Sequence, residues 1–234
     1  MKSFGNAAVA SVVGVALAAG AAHAQVPWVP PSGSGTFFSY TGGLSDNGLF
    51  GNPTLIGDTF QFTPSGFVAN SVNGSAASTT DRLQVDITAN PGHRITMIRV
   101  TEFGSWGISG VGSVNAFGSL NLLDQLNLRP PAIAGLSAGT TTPFVSPLPV
   151  STPNTAGLWS GSVVIDLTSI IGPDWTKLRL VFTNTIQATS QQGSASFIDK
   201  KVVGGPSIFV EIIPAPSSIA LLGLSGLVAA RRRR

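Results

Sequence analysis

The chain has 234 residues, no cysteine, two histidines and a formal charge of +3. The missing cysteine excludes disulfides, thiolate metal sites and a cysteine nucleophile. The basic excess sits at the ends: between Gln25 and Ile213, eight Lys and Arg face ten Asp and Glu, a balance of −2. That removes the electrostatic ground for binding nucleic acid.

Taken in chain order, the first segment is an export signal. Lys2 supplies a short positive start, residues 7–22 are apolar and small, and Ala22-His23-Ala24 fits a small-x-small cleavage site. Cleavage is expected between Ala24 and Gln25, and it implies signal peptidase and an export machinery as partners. Pro27, Pro30 and Pro31 follow at once and break any helix continuing from the apolar run.

Residues 25–213 form one domain of a length that can bury a sizeable core. Short β-prone runs separated by turn residues predict strands at 36–40, 58–63, 82–88, 94–103, 162–168, 177–185, 196–203 and 207–213. In 82–88, Leu83, Val85 and Ile87 alternate with Gln84, Asp86 and Thr88. In 177–183, Leu178, Leu180 and Phe182 point one way, and Val181 is the one apolar residue on the other face. Asp124 to Leu128 forms a helical turn at most. Six prolines between Arg129 and Gly157 predict a long surface excursion or a set of edge segments, because proline cannot donate to a strand ladder. The pattern predicts an all-β, antiparallel, jelly-roll-like sandwich.

Few side chains offer chemistry. After cleavage only His93 remains, in the turn Asn90-Pro91-Gly92-His93, so neither a serine–histidine pair nor a histidine metal site is expected. Asp46-Asn47-Gly48 and Asp81 are the nearest candidates for calcium, although Asp-Asn-Gly is first a turn signal. Asp86, Glu102, Asp166 and Glu211 lie on predicted strands and could supply the carboxylate pair of a glycosidase. Trp28, Tyr40, Trp106, Trp159 and Trp175 could face a sugar. Of these, Trp106, Trp159 and Trp175 have glycines nearby and are the candidate ligand contacts, with burial in the core as the competing role. No cofactor or metal is implied. The segment 194–200 resembles the last strands of carbohydrate-binding-type jelly rolls over fewer than ten residues, which assigns no site.

Residues 214–234 have a three-part layout. Pro214-Ala215-Pro216 precedes an apolar run from Ile219 to Ala230, too short to cross a bilayer comfortably, and Arg231, Arg232, Arg233 and Arg234 end the chain. The layout resembles the PEP-CTERM sorting signal of bacterial exported proteins, with alanine where that family has glutamate. The resemblance implies a C-terminal hydrophobic helix at the membrane and processing by an exosortase-type protease. The partition expected is therefore signal peptide 1–24, exported sandwich 25–213 and sorting segment 214–234.

Together these features describe a non-enzymatic protein of the cell envelope or extracellular matrix, structural or adhesive, in contact with exopolysaccharide. A secreted polysaccharide hydrolase using two of the carboxylates is the alternative.

Overall fold

The computed structural model describes residues 25–143, 145–201 and 205–216. Ala22 and Ala24 of the expected signal peptide, the apolar run and Arg231 to Arg234 lie outside the described residues.

The first eight strands are β1 (Val26–Pro27), β2 (Gly33–Ser34), β3 (Phe38–Ser45), β4 (Thr54–Ile56), β5 (Thr59–Phe62), β6 (Val68–Val72), β7 (Ala76–Ala89) and β8 (His93–Ser109). Then come β9 (Gly112–Asp124), β10 (Ala132–Gly135), β11 (Ser137–Thr142), β12 (Ser146–Pro147), β13 (Thr155–Asp166), β14 (Lys177–Ser190), β15 (Ala195–Asp199) and β16 (Ile208–Pro216). One 3-10 turn, Leu167–Ser169, follows β13.

They form two antiparallel sheets. The smaller runs β1-β3-β7-β14-β9-β10, with β2 beside β3. The larger runs β12-β11-β13-β8-β16-β5-β4. The far edge of β8 is shared: β16 pairs with its first half and β15 with its second, and β6 lies outside β15. The long strands β7, β8, β9, β13 and β14, followed by the short β15, alternate between the sheets, so the chain crosses the sandwich repeatedly, as in a jelly roll.

Alternation decides which side chains fill the space between. Leu83, Val85 and Ile87 of β7 and Leu178, Leu180 and Phe182 of β14 are buried, as their spacing requires. Ile98, Val100, Trp106 and Ile108 of β8 meet them from the other sheet. One end is filled by rings: Trp28, Phe38, Tyr40, Phe60 and Phe62 pack edge-on or tilted at centroid distances of 5.0 to 6.3 Å.

The proline-rich stretch is a set of edge segments. β10 completes the edge of the smaller sheet and β11 joins the edge of the larger, with only Leu136 between them. The segment therefore closes one side of the sandwich. At the C-terminal end, β16 does not stop at Ile213. Pro214, Ala215 and Pro216 continue opposite Ile95, Arg94 and His93 after a bulge at Ile213. This lies beyond the reach of β5, which pairs only with 208–211, so the missing proline N–H groups are tolerated there. The sandwich thus extends to Pro216, three residues past the expected boundary.

Candidate functional site

The three tryptophans expected as ligand contacts are in the core. Trp106, Trp159 and Trp175 are 0, 1 and 3 % exposed. Trp106 and Trp159 occupy inward positions of β8 and β13, and their indole N–H groups donate to Leu158 O and Asp199 O at 3.3 and 2.9 Å. Trp175 is covered by the guanidinium of Arg129, 4.3 Å from its ring. The glycines beside them mark close packing, and none of the three presents a face to solvent.

Nor do Glu102 and Asp166 make a catalytic pair. Glu102 and Asp166 are not neighbours: Gly161, five positions before Asp166 on β13, stands opposite Glu102, a separation of roughly 17 Å along the strand. An odd offset also puts them on opposite faces, Glu102 inward and Asp166 outward. Asp166 caps the 3-10 turn, and hydrogen bonds from the hydroxyl and N–H of Thr168 hold its carboxyl below the usual carboxylate range. Asp86 is gripped by Arg179 through two bonds of 2.7 and 2.9 Å, which raise the guanidinium's affinity for its proton further. Glu211 pairs with Arg99 at 3.1 Å.

The other candidates hold turns. Asp81 accepts from the backbone N–H of Asn47 and Leu49, and Asp46 bonds Arg82, so these carboxylates pin the bend after β3. His93 lies against the ring of Phe37 at 4.9 Å. Among the described residues no three His, Asp or Glu side chains converge on a point where a metal could sit.

An open groove of about 710 Å³ lies on the outer face of the larger sheet, where β6, β15, β8 and β13 run side by side. Registers place Asn70, Phe197, Gly107 and Ala156 in one row across it. Phe197 is 37 % exposed and its ring covers Gly107, where a Cβ would come within 2.5 Å of it. The glycine therefore lets the ring lie flat on the sheet. Val72 and Ser109 occupy the next row, and Asn154 stands at the groove's rim, its side-chain Oδ1 accepting from Gly110 N–H at 2.8 Å. No lining residue is charged. An aromatic face ringed by amides and hydroxyls suits a neutral, hydroxyl-bearing ligand. A second exposed ring, Phe103, lies four residues along β8 from Gly107 and meets Phe209 edge-on at 6.2 Å.

Phe197 sits within the segment 194–200, but nothing in the sequence marks it as the exposed ring. It alternates between Ser196 and Ile198, both buried, and the glycine it covers is 90 residues away on β8.

A different constellation lies between the sheets. Glu102 and Lys200 are wholly buried and paired, and the amide of Asn184, on β14 in the opposite sheet, donates to both oxygens of Glu102 at 2.8 Å. Burial pushes the Lys200 ammonium down, and the neighbouring Glu102 only partly opposes it.

No family model matches this chain, and no curated protein does. Among solved structures it is similar to TmCBM61 in complex with beta-1,4-galactotriose, at 9 % identity over 81 % of this chain and 100 % of that one, with a TM-score of 0.23. It is similar also to the CBM22-1-GH10 modules of a Clostridium thermocellum xylanase complexed with xylohexaose, at 10 % identity over 63 % of this chain and 26 % of that one, TM-score 0.24. The IBDV viral particle gives 12 % identity over 78 % and 52 %, with a TM-score of 0.22. At these scores none of them shares the backbone closely enough to lend this chain a ligand.

Proposed function

We propose that the chain is an exported, non-enzymatic β-sandwich that contacts neutral polysaccharide at the cell envelope or in the matrix. The observation that carries the reading is the uncharged groove around Phe197, its ring laid on Gly107 and open to solvent. A pyranose face presents C–H groups that suit the negative face of such a ring, while Asn70 and Ser109 offer donors and acceptors to hydroxyls. The absence of charge in the lining disfavours phosphorylated or acidic ligands, which would forfeit their paired charges there.

The address is part of the proposal. Residues 1–24 direct export, and Pro214-Ala215-Pro216 with the apolar run and four arginines directs sorting by an exosortase-like protease. The test is electrophoresis of the purified protein in gels containing neutral or acidic polysaccharides. Retardation by neutral polymers supports the reading. Equal migration in every gel, or retardation by acidic polymers alone, overturns it.

A further inference from the structure

The buried trio of Glu102, Lys200 and Asn184 brings an amine and a carboxamide to the same carboxylate. Oε2 of Glu102 accepts from Lys200 Nζ and, at 2.8 Å, from Asn184 Nδ2, so the two nitrogens converge on one oxygen. The surroundings are dry: Nζ lies 4.8 Å from the Phe67 ring and 5.5 Å from that of Trp159. The backbone of Lys200 is fixed, its N–H donating to Phe67 O and its carbonyl accepting from the Ser207 hydroxyl. Two glycines make the room. A Cβ at Gly118 would stand 3.3 Å from Asn184 Nδ2, and one at Gly161 would stand 3.2 Å from Glu102 Oε1. The side-chain oxygen Oδ1 of Asn184 is buried without a hydrogen-bond partner.

An ion pair is a poor reason to place these groups here, since buried pairs seldom stabilise a fold more than apolar side chains of similar volume would. We propose instead that Lys200 and Asn184 form an intramolecular isopeptide bond, with Glu102 as the proton carrier. Low dielectric favours moving the proton from Nζ to Glu102, which leaves a neutral amine and a neutral acid. The nitrogen lone pair then adds to Cγ of Asn184, forming the new C–N bond as the C=O electrons move to Oδ1. The Cγ–Nδ2 bond breaks as the carbonyl reforms. Of the three protons that began on Nζ, one stays on the amide nitrogen, one goes by way of Glu102 to Nδ2, and one remains on Glu102. Ammonia leaves. No oxidant, metal or cofactor takes part. The bond ties β14 of one sheet to the end of β15 in the other, a covalent clamp in a chain that has no cysteine.

Intact-mass spectrometry of the purified full chain decides the matter. The loss of ammonia makes it about 17 Da lighter than its sequence. Trypsin cannot cut after an acylated Lys200, so residues 180–201 emerge as one peptide, light by the same amount, with no backbone fragments between 184 and 200. The Glu102→Gln and Lys200→Met variants are expected at full mass. A full-mass wild-type chain cut normally after Lys200 overturns the proposal without recourse to any variant. Loss of ammonia in a folded Glu102→Gln protein overturns the role of Glu102.

Discussion

Trp159 donates its indole N–H to the carbonyl oxygen of Asp199 at 2.9 Å, reaching across β8 at Gly104. A Cβ on Gly104 would lie 1.9 Å from that oxygen and 2.5 Å from the indole nitrogen. The contact holds the point where β15 ends and the chain turns back towards β16. Gly104→Ala is therefore expected to lower stability by about 1–3 kcal/mol, as overpacking does, read as a lower denaturation midpoint. An unchanged midpoint would mean that the Asp199 carbonyl and the Trp159 ring move aside at little cost.

Phe197 and Trp159 separate recognition from folding. Phe197→Ala removes a ring that is 37 % exposed and packed only on its sheet side, so stability should fall by only about 1 kcal/mol. Its affinity for a neutral polysaccharide should fall about tenfold or more, as for an aromatic anchor. Trp159→Ala should cost about 3–5 kcal/mol of stability, as for a large buried ring. Equal polysaccharide affinity in the Phe197 variant and the wild type would remove the groove from the account.

The sorting reading and the strand boundary can be separated by truncation. Ending the chain at Pro216 keeps every described rung of β16, so the melting curve should not move while the protein shifts from the envelope fraction to the medium. Ending it at Ile213 also removes the rungs opposite Ile95, Arg94 and His93, which should cost about 1–2 kcal/mol. An unchanged location after removal of residues 217–234 would count against the sorting signal.

Tyr40 is the sole tyrosine, which makes its ionisation easy to follow by ultraviolet absorbance. Burial among the aromatic rings raises its pKa, because the phenolate is poorly solvated there. With the folded value above the unfolded one, its contribution to stability is full below about pH 10. That contribution is lost as pH rises through the folded value. The phenolate signal should appear at higher pH in the native protein than after denaturation. Superimposed titrations would show that the ring is accessible to solvent in the native state.

The stretches 83–87 of β7 and 178–182 of β14 were legible because their inward positions carry Leu, Val, Ile and Phe without a gap. β9 was not, although Val114, Ala116, Leu120 and Leu122 alternate along it. Gly118 occupies an inward position, where the carbonyl of Thr183 leaves no space for a Cβ, and this gap breaks the pattern. The early half of β7, Ala76 to Asp81, reads as a polar loop and is extended only because β14 pairs with it. Glu102 was singled out as a strand carboxylate, but its partners lie 82 and 98 residues further along the chain. Convergence over such separations comes from the crossing of the sheets, and no local spacing records it.

The route of β16 has a mechanical meaning for a protein held from its C-terminal side. The strand lies between β8 and β5, with nine residues paired along β8 on either side of the bulge at Ile213. A pull on Pro216 along the strand axis loads those rungs in parallel, so they must yield together rather than peel one after another. Behind them the buried Ser207 is held by Phe62, Phe103 and Lys200, and Lys200 itself is anchored in the interior. A sandwich tethered in this way would resist traction in shear, and what it could pay out before that anchor is limited to the sixteen residues from 201 to 216.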